Sequence, residues 1–234
     1  MVRITQANGK LKKLKKRIGK RVDKFDLLAG HTCPFARDCR SCVVDGKIVD
    51  GPKTEFRCFA ASLEAAFPST YRLHKVNTDA IKALKTMAKM RDAIQEALPP
   101  KAEVIRIHTS GDFFNQKYFD AWLSVARNNP TKIFYAYTKA LPLWVRRKNV
   151  IPENFILTAS YGGTRDDLIE SENLRFSKVV FSREEAENLG LEIDENDFSA
   201  YNPETRNDSF ALLLHGIQPK GSEAADALRV LNNG

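Results

Sequence analysis

From Val104 onward the chain alternates short apolar runs with amphipathic segments, and this alternation restricts the fold more than any other feature. Val104–His108, Lys132–Tyr137, Phe155–Thr158, Lys178–Phe181 and Phe210–Leu214 read as strands. Between them lie a helix over Gln116–Asn128, with Tyr118, Phe119, Trp122 and Val125 on its apolar side, and a short one over Leu141–Arg147. A helical turn near Asp166–Glu170 and helices over Glu184–Leu189 and Glu223–Leu231 follow. Strand, helix and strand repeated with right-handed crossovers give a parallel sheet.

Upstream, residues 25–31 read as a further buried strand, 33–55 as an irregular loop, and 56–66 as helical around Cys58. Residues 76–98 read as one amphipathic helix ended by Pro99 and Pro100. The expected class is α/β: a partial, open TIM-like barrel of about five or six parallel strands, with an irregular cysteine-rich loop and a basic N-terminal arm. Polar residues gather just after each strand: Thr109, Ser110, Gly111 and Asp112; Thr138 and Lys139; Ser160 to Gly163; Ser182 and Arg183; His215, Gly216 and Gln218. Ligands of such sheets bind at the C-terminal strand ends, so these segments are expected to share one mouth.

All four cysteines fall in the first quarter of the chain, as C-x5-C-x2-C at Cys33, Cys39 and Cys42, with Cys58 sixteen residues on. No apolar run is long enough for a membrane helix, and the N-terminus lacks a signal-like segment. A reducing cytoplasm is therefore expected, where thiols serve as metal ligands rather than disulfides. Structural zinc usually takes two C-x2-C pairs, and this chain has one. Three clustered cysteines and one remote cysteine suit a [4Fe–4S] cluster, with zinc as the alternative. If Cys58 is instead a core residue beside Phe56 and Phe59, the three remaining thiolates leave one iron open for a substrate.

Charge is concentrated at one end. Residues 1–24 hold ten Lys and Arg against Asp23 alone, a balance of +9, while the rest is near neutral with 27 basic and 28 acidic groups. Residues 1–24 thus read as a basic arm and 25–234 as the folded domain. Lys12, Lys13, Lys15, Lys16 and Arg17 are candidate contacts to nucleic acid or another polyanion; the plainer reading is a solvated tail. Leu11, Leu14 and Ile18 are spaced for one apolar helical face. At the strand ends His108, Ser110, Asp112, Lys139 and His215 are candidate site-lining residues. Asp112 as a helix cap and His108 as a core histidine are equally plain readings. No P-loop, G-x-G-x-x-G, G-x-S-x-G or H-E-x-x-H motif is present.

The segments AGHTCPFARDCRSC, DGPKTEFRCFAAS, RIHTSGDFFNQKYFDAW, FYAYTKAL and FALLLHGIQPKGS together resemble the gene product 88 family of bacteriophage proteins, from about residue 25 to the C-terminus. The resemblance implies a phage-encoded protein working in the cytoplasm of an infected bacterium, with Cys33, Cys39, Cys42 and Cys58 as family cysteines, and it supplies no reaction; the cluster reading adds an unidentified host or phage redox partner. The strand-end motifs are also distantly similar to the radical-SAM α/β barrel. That family's C-x3-C-x2-C spacing and its glycine-rich S-adenosylmethionine segment are missing here, so S-adenosylmethionine is not expected as a cofactor. The leading expectation is an electron-transfer or redox-regulatory iron–sulfur protein. Behind it stand a radical-SAM-type enzyme with an open iron and a zinc-stabilised nucleic-acid-binding protein.

Overall fold

The computed structural model describes residues 1–7 and 9–233. In chain order its elements are β1 (Thr5–Gln6), α1 (Lys10–Ile18), β2 (Val22–Phe25), β3 (Ser41–Val44), β4 (Lys47–Asp50), α2 (Phe59–Ala66), α3 (Pro68–Ala83) and α4 (Met87–Ala97). Then come β5 (Val104–Ile107), α5 (Gln116–Asn128), β6 (Ile133–Thr138), α6 (Leu141–Val145), β7 (Phe155–Ser160), α7 (Asp167–Ser171) and β8 (Phe176–Val180). The chain finishes with α8 (Arg183–Asn188), β9 (Glu192–Ile193), α9 (Phe198–Tyr201), β10 (Phe210–Leu213) and α10 (Glu223–Asn233).

One mixed sheet in the order β1-β2-β5-β6-β7-β8-β10-β9 organises the molecule. Every neighbouring pair from β2 to β9 is parallel, and only β1 runs antiparallel, against β2. The edge strands β1 and β9 do not pair with each other, so the sheet is open.

Strand alternation sends side chains to two different cores. Ile105, Ile107, Phe134, Ala136, Phe155 and Leu157 pack with Trp122, Phe119 and Val125 of α5 and Met90 and Ile94 of α4 on the outer face. Val22, Val104, Tyr135, Ile156 and Phe210 face the other way, onto Leu11 and Leu14 of α1 and Ala200 and Tyr201 of α9. The N-terminal segment is therefore no detached arm. β1 and β2 belong to the sheet, and α1 caps its inner face with Leu14 fully buried and Leu11 2% exposed. Their 3.6-residue spacing was the signal, and the lysines between them simply face water.

Three other expectations change. The strand expected at 25–31 is β2, three residues earlier, because Asp23, Lys24 and Asp26 pair within the fold instead of interrupting it. The helix expected over 76–98 is two helices, α3 starting at Pro68 and α4 after a Thr86 cap whose hydroxyl accepts from Lys89 N. The cysteine loop contains a hairpin, β3–β4, turned by Asp45 and Gly46, both at positive φ. Asp-Gly is the usual signature of that turn.

Candidate metal centre and its polar surround

The loop from β2 to α2 folds over the C-terminal end of the sheet. Arg37 N and Asp38 N both donate to Gly162 O, Thr164 N donates to Phe35 O, and Ala36 bridges Gly163. Gly162 needs its left-handed φ of 91° and has no room for a side chain, since a Cβ would stand 2.9 Å from Asp38 Oδ2. This anchors Cys33 and Cys39 beside the turn after β7. Cys42 sits on β3, and Cys58 caps the N-terminus of α2, its own N–H donating to Ser41 Oγ at 3.2 Å. All four are free thiols and partly exposed.

Electrostatics show that three of these thiols are neighbours. Burial pushes Cys33 well above the ordinary thiol range, and Asp112, Cys58 and Cys39 push it further. Cys58 rises to about 12, first through desolvation and then through Cys39, while the N–H groups of Ala61 and Ala60 oppose the rise. Cys39 is raised by burial and by Asp112, with Lys139 pulling the other way. Such thiols stay protonated at neutral pH unless a cation compensates them, which is what a metal centre does to its ligands. Among the described residues, no group of three or more His, Cys, Asp or Glu is arranged to hold a metal ion. Four sulfurs on one zinc would stand about 3.8 Å apart at the usual bond length. A cubane takes one thiolate per iron and accepts a wider spread.

Beneath the thiols lies a buried polar layer. Asp112 accepts from Thr138 Oγ1 at 2.6 Å, Lys139 N at 2.9 Å and Phe113 N at 2.7 Å, yet desolvation still lifts its carboxyl to about 6. Lys139 Nζ donates to Ser160 Oγ at 2.7 Å and to the carbonyls of Ser160 and Tyr161. Ser110 Oγ donates to Glu64 Oε1 at 2.7 Å, and that oxygen also accepts from Ala29 N at 3.0 Å. His74 Nδ1 stands 2.7 Å from the same oxygen, and Nε2 stands 3.5 Å from Asp26. Burial opposes charging of His74, but its two carboxylate neighbours outweigh this and raise it. Asp26 accepts from Thr109 N and Oγ1 and from Ser110 N, pairs with Lys24, and is held far below the carboxylate range despite its burial.

The expected site residues separate on this map. Ser110, Asp112 and Lys139 lie by the thiols. His215, on the exposed surface, packs edge-on against Phe59 with ring centroids 4.2 Å apart. Its segment clasps the Cys58 helix, since Gln218 Oε1 accepts from Arg57 N at 2.7 Å and Ser62 Oγ donates to Ile217 O. His108 is not at the mouth. Its φ of 67° turns the ring to the outer core, where Nε2 is 2.8 Å from Tyr118 Oη and Phe113 and Phe25 pack against it. Desolvation lowers it to about 3. Two arginines beside the cysteines are engaged elsewhere: Arg37 pairs with Asp38 and Asp166, and Arg57 with Asp50. Lys12, Lys13, Lys15, Lys16 and Arg17 are all exposed on α1, away from the cysteine loop, with Arg17 lying 3.5 Å over the Phe198 ring. Sequence reasoning missed Asp26, Glu64 and His74; for the first two the signal was a charge placed inside apolar runs, FDLLAGH and FAASLEAA, while His74, in the polar stretch YRLHKV, carried none.

No helix among the described residues is long and apolar enough to cross a membrane. No solved structure matches the chain. A stretch of 64 residues is 38% identical to the Gene 88 protein of Mycobacterium phage L5, covering 26% of this chain and 26% of that protein. The sequence model of the family described as Gene product 88 matches residues 3–233, so the chain belongs to that family.

Proposed function

We propose that this protein holds one [4Fe–4S] cluster on Cys33, Cys39, Cys42 and Cys58 and serves in electron transfer or redox-linked regulation in the cytoplasm of an infected bacterium. The carrying observation is the folding of the loop that bears Cys33 and Cys39 onto the turn after β7, at the strand ends; burial raises Cys33, Cys39 and Cys58 there, with Cys39 adding to the rise of Cys33 and Cys58 and Cys58 to that of Cys33. A bound cluster supplies the positive iron that makes four thiolates tolerable there, and it accepts and donates single electrons. Around it the chain's own groups set the field. Lys139 offers a nearly buried cation on the Cys39 side, and the amides of Ala60 and Ala61 point at Cys58. The run β2-β5-β6-β7-β8 of neighbouring parallel strands in chain order is what favours a partial TIM-like barrel.

The second reading is an enzyme of that type with an open iron, favoured by the Asp112–Thr138–Lys139 layer directly under the thiols. Cys58 divides the two readings. Anaerobically purified or reconstituted protein is expected to be brown, with about four irons and four sulfides per chain. Colourless protein carrying a single zinc would overturn both.

A further inference from the structure

A second polar region lies on the inner face of the sheet, apart from the thiols. Strand register brings Tyr137 beside Thr158, and Ala159 N donates to Arg175 O, so Arg175 stands next to Thr158 at the head of β8. Ser177 pairs with Ser160 on one side and Phe210 on the other. Two guanidiniums flank this row: Arg106 lies 4.7 Å over the Tyr137 ring and Arg175 lies 5.3 Å over the Phe210 ring. Those two rings touch edge to face at 6.0 Å, so the groups form one continuous patch.

The patch has more hydrogen-bonding capacity than the protein uses. Thr158 is fully buried, Ser177 is 1% exposed and Arg175 is 7% exposed. Arg175 Nη2 donates to Ser199 O at 2.5 Å, while its Nε and Nη1 have no partner. Arg106 Nε, Thr158 Oγ1 and Ser177 Oγ are also unpartnered. Asp208 and Asp194 offset part of the Arg175 charge without a hydrogen bond to its Nε or Nη1. Asp197 accepts from Arg106 Nη1, Tyr135 Oη and Tyr137 Oη, and Asp194 from the amides of Asn196 and Ser199. Buried polar groups are almost always satisfied, and a cluster of orphaned donors around a guanidinium matches the acceptors of an oxyanion.

We propose that this inner face binds a small oxyanion, the carboxylate or phosphate group of a small-molecule ligand, with Arg175 as its principal cation and Thr158, Ser177 and Arg106 Nε completing the hydrogen bonds. The site is independent of the cysteines and stands whether or not they hold a cluster. Full-length protein is titrated calorimetrically in chloride buffer with inorganic phosphate and, separately, with succinate. One of the two is expected to bind saturably at one site per chain and to raise the unfolding temperature; which one binds tighter identifies the group. Arg175→Met is expected to weaken that binding roughly tenfold or more, as loss of a charge-assisted bond does. Should that variant fail to fold, the near-isosteric Thr158→Val and Ser177→Ala give the same readout with a smaller loss. The proposal is overturned if neither anion binds saturably, water then being the occupant, or if the folded variants bind like the wild type.

Discussion

Helix α1 carries the densest positive charge in the chain, and its two faces have separable jobs. Leu14 is fully buried and Leu11 nearly so, both in the inner core with Val22, Val104 and Tyr201. Truncating Leu14 to alanine removes buried methyl groups from a site walled by strands on one side, which relaxes little. The expected cost is about 3 kcal/mol, within the usual range for buried leucine. A chain of this length loses about 2–4 °C per kcal/mol, so the unfolding midpoint should fall by roughly 6–12 °C. Replacing Lys12, Lys13, Lys15 and Lys16 together with glutamine touches only exposed side chains and should shift the midpoint by no more than a degree or two. If α1 contacts DNA, the same change should flatten the salt dependence of binding by roughly 3–4 in the logarithmic slope.

Thermal unfolding followed by far-ultraviolet circular dichroism, and DNA binding measured across a salt series, read the two effects separately. A Leu14→Ala protein that melts with the wild type would refute the packing argument. So would a chain lacking residues 1–21 that folds as cooperatively as the intact protein, because β1 and α1 would then be dispensable.

Other outcomes follow from the same geometry. Cys58→Ala is expected to lose or convert the cluster; an unchanged [4Fe–4S] signal in electron paramagnetic resonance would move the assignment to the open-iron enzyme. His108 is neutral when folded, with its pKa lowered to about 3, whereas the unfolded chain takes up a proton below about 6.5. Stability present above pH 6.5 is therefore lost as pH falls towards 3, on the order of 4 kcal/mol from this group, and His108→Asn should flatten that slope in denaturant titrations. Gly111→Ala would place a Cβ 2.6 Å from Thr32 Oγ1 and 2.7 Å from Leu27 Cβ at a φ of +84°, and should cost about 2–4 kcal/mol by chemical denaturation. Asp26→Asn strands Lys24 without its buried counter-ion and should cost about 3–5 kcal/mol.

Where a segment's period matched its burial, the sequence could be read directly. α5 and strands β5, β6, β7 and β10 lie within two residues of their expected bounds, because each shows either full burial or one clean apolar face. Reading failed where polar residues are paired inside the fold. Arg21, Asp23 and Lys24 made β2 look like the end of a charged arm, yet Asp23 pairs with Arg21 and Lys24 with Asp26 within the fold. The hairpin at 41–50 was hidden for a different reason: its strands are short and largely exposed, so hydrophobic alternation is weak and only the Asp45-Gly46 turn marks it.

The candidate site shows why strand-end position alone is not enough to assign a role. Arg106 and His108 are two residues apart, and strand parity would point both to the inner face. Arg106 goes there and meets Asp197, but the left-handed backbone at His108 reverses its direction and seats it on Tyr118. Asp112, four residues on, is the group of this segment that acts on the thiols. Its carboxyl is lifted to about 6, and its charge raises both Cys33 and Cys39. Beside this carboxylate the two thiols stay protonated, and a cluster of the kind proposed would have to offset its charge. The same argument makes Asp112, rather than Arg37 and Arg57, paired away with Asp38, Asp166 and Asp50, the group whose replacement by asparagine should most change the redox properties of a bound cluster.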